Sequence, residues 1–160
     1  AKAIQKLHQM QPPLLYLDCK PSNVMKDSDG KIRLIDFGSA LEAHTPVTKG
    51  ISASPGYAAP EQLSREIEKR CVDVRTDVFG LGRTLYALLC GADLSRPPYA
   101  FASLKSRCPQ VGDELEQIIM RATAREPEAR FQTMEAFLQV LLALQTFSGT
   151  DSRYCRLRRI

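Results

Sequence analysis

The residues with the clearest chemical potential lie in one short run, residues 16–38. Asp18, Lys20 and Asn23 share a single loop, and an Asp-Phe-Gly triplet begins at Asp36. A phosphoryl-transfer site needs metal ions on the phosphates, a cation against the developing charge and a carboxylate that orients the attacking hydroxyl. The types and spacing of these four side chains predict such a site.

Each of the four side chains suits one part of that chemistry. Mg²⁺ is usually held by one or two protein oxygens together with nucleotide phosphates. Asp36 offers a carboxylate and Asn23 an amide oxygen, so the pair can hold a metal without repulsion between two carboxylates. Asp18 is then free to accept a proton or a hydrogen bond from a substrate hydroxyl. Lys20 lies two residues further along a loop that Pro21 stiffens, so it can point to the same side as Asp18.

A short hairpin is predicted to position these groups. Residues 24–25 and 31–35 are short, apolar-rich and strand-like. The stretch between them ends in Asp29-Gly30, a dipeptide that favours a hairpin turn. Because the open ends of a hairpin lie side by side, Asn23 and Asp36 are predicted to be neighbours.

The other predicted elements are mainly helical. Residues 1–10 have the spacing of a helix end, and 60–64 predict one helical turn. Residues 76–89 are apolar on nearly every side and predict a buried central helix that Gly91 stops. Residues 39–58 lack apolar periodicity and predict a long loop. Two later stripes predict helices that face the core: Leu115, Ile118, Ile119 and Ala122, then Met134, Phe137, Leu138, Leu141 and Leu144.

Composition fits one globular domain. With 160 residues and 44% hydrophobic content, the chain can bury a sizeable core, and no apolar run reaches the length of a membrane span. The five cysteines form no Cys-x-x-Cys pair and predict reduced intracellular thiols. Residues 151–160 hold four arginines against one aspartate and so carry +3 of the net charge of +4. The body is therefore near neutral, which predicts no nucleic-acid partner.

Three motifs carry a resemblance to a known family. Tyr-Leu-Asp-Cys-Lys-Pro-Ser-Asn at 16–23, Asp-Phe-Gly at 36–38 and Ala-Pro-Glu at 59–61 resemble the catalytic loop, metal-binding triplet and closing motif of a eukaryotic-type protein kinase. The stretch 54–62 is especially similar to the bacterial Ser/Thr branch of that family. The motifs follow one another in the family's order and spacing, which makes coincidence very rare.

The likeness extends further along the chain. Residues 75–82 resemble the start of the buried central helix of the large kinase lobe. The likeness ends with residues 125–131, where Arg130 matches the family's arginine before the last helix. The resemblance covers residues 1 to about 147. It implies a mainly α fold, namely the large lobe of an α+β family, with a short β-hairpin that carries the catalytic loop and the Asp-Phe-Gly triplet.

The resemblance also implies a role for each motif residue. Asp18 corresponds to the catalytic base and Lys20 to the cation at the γ-phosphate of ATP. Asn23 and Asp36 correspond to the ligands of Mg²⁺ or Mn²⁺, and Lys20 joins them in binding the nucleotide. The implied reaction is transfer of the γ-phosphoryl group of ATP to Ser/Thr hydroxyls of a protein substrate.

Four further residues take roles from the family pattern. Ser54 stands where a hydroxyl residue hydrogen-bonds the base and the lysine and favours Ser/Thr acceptors. Glu61 and Arg130 correspond to a buried ion pair, and Asp77 to a residue that braces the catalytic-loop backbone. These last three are structural. Cys19, beside the base, is interpreted as a packing residue, not a redox switch.

Two residues depart from the family pattern. Where the family has His-Arg before the base, this chain has Tyr16-Leu17. Tyrosine can still pack and donate a hydrogen bond, but leucine cannot pair with a phosphate on the activation segment. The hypothesis is that activity does not depend on phosphorylation there, where the candidate sites are Thr45, Thr48 and Ser52.

Residues 1–17 contain no glycine-rich phosphate loop, no strand lysine with its helix glutamate and no adenine hinge. We expect a fragment of a longer kinase whose own N-terminal lobe completes the ATP site, and negligible activity for this polypeptide alone. Residues 1–147 are the predicted lobe, and residues 148–160 a basic tail or linker. The expected location is cytoplasmic, with possible membrane attachment through sequence beyond residue 160.

Other functions are open alternatives. A pseudokinase scaffold usually lacks the base or a metal ligand, whereas this chain has all of them. A small-molecule phosphotransferase shares the two aspartates and the asparagine, but Lys20, the Ala-Pro-Glu motif with Ser54, and Asp77 with Arg130 favour a protein-substrate platform. A tyrosine kinase is disfavoured by Lys20. His8 and His44 have no partner at catalytic or metal spacing and receive no role.

Overall fold

The computed structural model describes residues 1–43, 45, 53–63, 72–96 and 102–147. In these ranges the chain is mainly helical, as predicted. The helices are α1 (Lys2–His8), α2 (Pro60–Leu63), α3 (Val74–Cys90), α4 (Leu104–Arg107), α5 (Asp113–Ala122) and α6 (Met134–Phe147). The strands are β1 (Leu14–Leu15), β2 (Val24–Lys26), β3 (Ile32–Leu34) and β4 (Leu41–Glu42).

Helix α3 is the axis of the fold. Its N-terminus is closed by a capping box, in which the Asp73 side chain accepts a hydrogen bond from the Arg75 amide at 2.8 Å and the Thr76 hydroxyl accepts one from the Asp73 amide at 3.2 Å. Its C-terminus ends at Gly91, whose φ of 61° is the left-handed conformation that glycine adopts without strain. The predicted central helix and its stop are confirmed.

The hydrophobic core surrounds this helix. The α5 stripe Leu115, Ile118, Ile119 and Ala122 is buried, and so are three residues of the α6 stripe, Met134, Phe137 and Leu144. Leu138 and Leu141 are half-buried. Phe131 stacks on Phe137 with ring centroids 5.1 Å apart. Both stripes are therefore core, as their spacing predicts.

The predicted hairpin is present. Strands β2 and β3 pair antiparallel, with Val24 opposite Leu34. The turn is closed by Asp27, whose side chain accepts hydrogen bonds from the amides of Asp29 and Lys31 at 3.1 and 2.8 Å. Gly30 supplies the positive φ of 78° that the turn requires.

One pairing differs from the sequence interpretation. Residues 41–42, placed in a long loop by their lack of periodicity, form β4 and pair antiparallel with β1. A two-residue strand is too short to display a period of two, and its partner lies far away in the chain. No pattern within the segment could have shown it. Among the described residues, no helix is long and apolar enough to cross a lipid bilayer.

Candidate active site

The catalytic-loop region is hydrogen-bonded to helix α3. Asp77, which is 1% exposed, accepts hydrogen bonds from the backbone amides of Tyr16 at 2.8 Å and of Leu17 at 2.7 Å. Leu17 has a φ of 64°, a conformation that costs a residue with a β-carbon about 1–2 kcal/mol. The two bonds from Asp77 hold this strained backbone in place, so Asp77 has the contacts of a brace.

A histidine that the sequence left without a role joins this brace. The Nε2 atom of His8, at the end of α1, lies 2.7 Å from the Asp77 carboxylate. The His8 side chain is 8% exposed. The omission has a physical cause, because the partner is 69 residues away and only the tertiary fold brings the two together.

A second contact from α3 holds the next turn of the loop. The Thr84 hydroxyl lies within hydrogen-bond distance of the Cys19 carbonyl, at 2.9 Å, and of the carbonyl of Gly80, at 2.8 Å. Gly80 also lets the helix come close, because a β-carbon there would lie 3.4 Å from that of Cys19. Burial raises the pKa of the Cys19 thiol to about 11, so the thiol is neutral and packs.

Four predicted site residues converge in a hydrogen-bonded cluster, which we call the acceptor side. The Asp18 carboxylate accepts hydrogen bonds from Ser54 Oγ at 2.7 Å, Lys20 Nζ at 2.8 Å and Asn23 Nδ2 at 2.9 Å. Lys20 Nζ also donates to Ser54 Oγ at 2.7 Å. Asp18 and Asn23 are buried, whereas 24% of the Lys20 side chain is exposed. The carboxylate is thus fixed by three donors at the edge of solvent.

Asp36 lies apart from this cluster, on what we call the metal side. It follows Ile35, whose amide donates to the Asn23 carbonyl at 3.0 Å, so the hairpin brings Asn23 and Asp36 into neighbouring backbone positions. Asp36 is exposed, has a φ of 60°, and accepts a hydrogen bond from the Gly38 amide at 3.1 Å. Within the ranges that the structure describes, its carboxylate forms no hydrogen bond with Asp18, Lys20, Asn23 or Ser54.

The side chains of Asp36 and the neighbouring Asn23 together fit a hard divalent cation. One carboxylate and one amide oxygen are the ligands that Mg²⁺ accepts when phosphate oxygens complete its shell. In the described part of the chain, no cluster of three or more His, Cys, Asp or Glu side chains could hold a metal by itself.

Tyr16 connects the two sides. Its hydroxyl donates to the Ile35 carbonyl at 2.5 Å, and its ring packs edge-to-face on Phe37 with centroids 5.3 Å apart. Burial raises the pKa of Tyr16 to about 12, so the phenol keeps its proton and remains a donor. The predicted packing and hydrogen bond of this tyrosine are both present.

Residues 53–59, which we call the acceptor segment, carry Ser54 and lead into α2. The buried side chain of Gln62 accepts a hydrogen bond from the Ala59 amide and donates to the Leu17 carbonyl, each at 2.9 Å. Gln62 therefore links the acceptor segment to the catalytic loop. Sequence reasoning missed this residue, which lies directly after the Ala-Pro-Glu motif.

The predicted ion pair locks the end of this segment. Arg130 is fully buried and meets Glu61 with two hydrogen bonds, from Nη1 at 2.6 Å and Nη2 at 2.9 Å. It also donates to the carbonyls of Ala124 and Arg125. Thr76 of α3 donates to the same Glu61 carboxylate at 2.9 Å. Charge and hydrogen bonds are thus both satisfied, as a buried pair requires.

Several sequence predictions fall where the structure gives no test. Thr45 is exposed, but Thr48 and Ser52 lie outside the described residues, as do His44 and the tail 148–160. Independence from activation-segment phosphorylation stays a prediction.

Comparison with known proteins identifies the family. The protein kinase domain family matches residues 1–148, so the chain belongs to that family. Solved structures agree on the fold. The kinase domain of PknI from Mycobacterium tuberculosis has a TM-score of 0.68 at 29% identity, covering 89% of this chain and 51% of that one. The apo form of PpkA-294 has a TM-score of 0.64 at 26% identity, covering 88% and 50%. The predicted kinase-like fold is confirmed.

Individual relatives include bacterial Ser/Thr kinases. The chain is 35% identical over 142 residues to rhodopsin kinase GRK1 of Rattus norvegicus, covering 87% of this chain and 22% of that protein. It is 35% identical over 155 residues to Pkn1 of Myxococcus xanthus, covering 81% and 21%. Against PrkC of Bacillus subtilis it is 31% identical over 147 residues, covering 83% and 22%. The chain thus spans about a fifth of the length of these relatives. The predicted resemblance to bacterial Ser/Thr kinases is confirmed.

Proposed function

We propose that this chain is the large lobe of a Ser/Thr protein kinase, which transfers the γ-phosphoryl group of ATP to protein Ser/Thr hydroxyls. The observation that carries this proposal is the acceptor side, where one carboxylate, Asp18, is hydrogen-bonded by both Lys20 and Ser54. That arrangement provides a fixed acceptor for a hydroxyl proton and a cation within reach of the same point. Membership of the kinase family supports the same reaction.

The residues divide the chemistry between them. Asp18 accepts a hydrogen bond from the substrate hydroxyl and orients its oxygen toward phosphorus; as the new O–P bond forms and the bond to the leaving oxygen breaks, the hydroxyl proton passes to Asp18. Lys20 offsets negative charge at the transferring group. Asn23 and Asp36 would hold Mg²⁺ or Mn²⁺. Bound Mg-ATP supplies the phosphoryl group and the metal that neutralises its charge.

A cavity beside the acceptor side favours a protein substrate. It has a volume of about 630 Å³ and shares Lys20 and Ser54 with the cluster. Its other walls include Pro55, Tyr57 and Leu88, the last of which is 37% exposed. A largely apolar cavity of this size next to the acceptor fits a peptide side chain that flanks the target hydroxyl. This observation argues against a small-molecule phosphotransferase.

The partner that completes the nucleotide site is proposed to be the kinase's own N-terminal lobe. Exposed apolar side chains at the hairpin and triplet include Met25 at 52%, Ile35 at 37% and Phe37 at 48%. Such a patch beside a metal side favours a protein surface that covers it. Residues 1–147 are the proposed lobe and 148–160 a linker. A cytoplasmic location, with membrane attachment in sequence beyond the linker, completes the proposal.

The test uses the full-length protein with ATP, Mg²⁺ and a mixture of casein and histone as probe substrates. Phosphoserine and phosphothreonine should form with the wild-type protein and not with Asp18→Asn. The polypeptide of residues 1–160 alone should give negligible labelling. Transfer to choline or an aminoglycoside instead would support the small-molecule alternative. Wild-type protein that labels nothing, with biological function retained by Asp18→Asn, would support a scaffold.

A further inference from the structure

The acceptor segment is bent tightly at the point where it presents Ser54. The Ser54 carbonyl accepts hydrogen bonds from the amides of Tyr57 and Ala58, both at 3.0 Å. Gly56 lies inside this bend with a φ of 82°. The side chain of Ser54 reaches Asp18 and Lys20 only while the bend keeps this orientation relative to the catalytic loop.

A buried arginine of α3 contacts this bend. Arg83 is 3% exposed, and its Nε donates a hydrogen bond to the Gly56 carbonyl at 2.6 Å. Its guanidinium carbon also lies 5.6 Å from the ring centre of Tyr86. A charged group is rarely buried unless hydrogen bonds compensate its lost hydration, and a charged donor makes about twice as strong a bond as a neutral one. The contact to Gly56 is therefore a strong anchor for the segment.

The opposite side of Gly56 is closed by backbone. A β-carbon at Gly56 would lie 1.8 Å from the Leu94 carbonyl oxygen, which no side chain can tolerate. The Leu94 amide also donates to the Tyr57 hydroxyl at 3.4 Å. The bend is thus held between Arg83 on one side and the chain after α3 on the other.

Helix α3 is consequently the common reference for both halves of the acceptor side. Asp77 and Thr84 hold the catalytic loop through the amides of Tyr16 and Leu17 and the carbonyl of Cys19. Arg83, adjacent to Thr84, holds the acceptor segment. A rigid helix that fixes both pieces also fixes the distance between Ser54 and Asp18.

We propose that Arg83 is a positioning residue, which anchors the acceptor segment to α3 so that Ser54 meets Asp18 and Lys20. The proposal rests on the proposed kinase function for its kinetic consequence, but the anchor itself is a structural statement. The segment also forms one wall of the cavity proposed for the substrate, through Ser54, Pro55 and Tyr57. Loss of the anchor should therefore weaken use of the peptide substrate and spare ATP.

The test compares Arg83→Met with Arg83→Lys in the full-length protein. Methionine keeps an unbranched apolar stem but has no donor, whereas lysine restores a charged donor. We expect kcat/KM for a peptide substrate to fall about 10- to 100-fold in Arg83→Met, in line with one lost charged hydrogen bond, with KM for ATP within about twofold. Arg83→Lys should recover most of the loss. Arg121→Met, on α5, is the matched control and should behave as wild type.

Hydrogen exchange separates the anchor from the chemistry. The Tyr57 and Ala58 amides should exchange faster in Arg83→Met than in the wild type, whatever the protein's activity, and Arg83→Lys should restore protection. A wild-type protein with no phosphotransfer would refute the proposed function and leave this readout intact. Exchange unchanged in Arg83→Met would overturn the anchor, and so would equal losses in the peptide and ATP parameters.

A second variant covers the case in which Arg83→Met does not fold. Gly56→Ala disturbs the same contact from the segment's side, because its β-carbon must displace the bend from Leu94. The same faster exchange and the same peptide-specific loss are expected. If Gly56→Ala kept wild-type exchange and a wild-type peptide KM, the bend would not need its anchored position and the proposal would be wrong.

Discussion

The acceptor side and the metal side of this site differ in how completely the chain builds them. Asp18 is buried and held by three donors from Lys20, Asn23 and Ser54. Asp36 is exposed, and its carboxylate bonds to the amide of Gly38, two residues away. Asp18 is thus held both by donors of its own loop and by Ser54, 36 residues away in the chain, whereas Asp36 is held by a local turn.

The difference indicates which half of the proposed chemistry this chain preorganises. The acceptor side rests on α3 and on the Glu61–Arg130 pair, all within the described residues. The metal side sits beside exposed Met25 and Phe37, at a surface suited to a partner. In the proposed function, this chain alone would position the substrate hydroxyl, whereas the phosphates and their metal would need a second surface. This contrast predicts different responses to mutation on the two sides.

The largest effect is expected from Asp18→Asn in the full-length protein. Loss of a positioned base should lower kcat about 10²- to 10⁴-fold with little change in KM for ATP, because Asp18 itself is not among the residues assigned to the nucleotide. Steady-state kinetics with a peptide substrate measure both parameters. The control is Asp29→Asn in the exposed hairpin turn, which should keep wild-type kinetics. Equal kcat values for the two variants would mean that the acceptor side is not a reaction site.

Mutation of the Glu61–Arg130 pair, which supports the acceptor side, should lower the stability of the protein. Glu61→Ala leaves Arg130 buried without its carboxylate, and breaking such a pair costs about 3–5 kcal/mol in the free energy of unfolding. Urea denaturation measures the change. Glu128→Ala is the matched control, since that glutamate is 74% exposed and lies 3.4 Å from Arg75; it should change stability by less than about 0.5 kcal/mol. A small change in the free energy of unfolding of Glu61→Ala would contradict the view that this ion pair supports the acceptor side.

The metal side should show the opposite behaviour. Asp36→Asn should leave the free energy of unfolding within about 0.5 kcal/mol of the wild type, because the side chain is exposed. The Mg²⁺ concentration for half-maximal activity should rise about tenfold or more, as expected when a metal site is impaired. Asn23→Ala sharpens the comparison: Asn23 is buried and donates to Asp18, so its loss should lower stability as well. A large loss of stability in Asp36→Asn would contradict the proposed difference between the two sides.

The sequence predicted the elements better than their mutual contacts. Helix α3, its stop at Gly91 and the β2–β3 hairpin follow from local signals, namely a segment that is apolar on nearly every side, a capping glycine and an Asp-Gly turn. Strand β4 could not be predicted, because two residues carry no period and their pairing is decided by distant β1.

The same division holds at the site. Asp18, Lys20, Asn23 and Asp36 were selected by residue type and spacing, and the structure brings the first three together. His8, Gln62 and Arg83 were missed, because each acts through a partner at least 27 residues away and has no motif of its own. A charged residue within an otherwise apolar helix is the sequence signal that could have found Arg83, because a buried charge needs a partner.

The smallest effect tests the start of α3, on which the acceptor side depends. Asp73→Ala should cost about 1 kcal/mol in the free energy of unfolding at neutral pH, because the N-cap acceptor is lost. Asp73→Asn keeps a cap and removes only the charge facing Arg75, so it should cost less. Urea denaturation of the three proteins at pH 7 measures both differences.

The pH dependence of stability tests how much the charge of Asp73 contributes. Burial acts to raise the pKa of Asp73, but hydrogen bonds and charge from Arg75 outweigh it, so the pKa is lowered. A carboxyl whose pKa is lower in the folded state stabilises the protein above its unfolded pKa of about 4, and that contribution disappears as pH falls through the lower folded value. The stability difference between wild type and Asp73→Asn should therefore shrink as the pH falls from about 5 through the lowered folded pKa. A difference that stayed constant over this range would show that capping geometry, not charge, secures the helix from which the acceptor side is suspended.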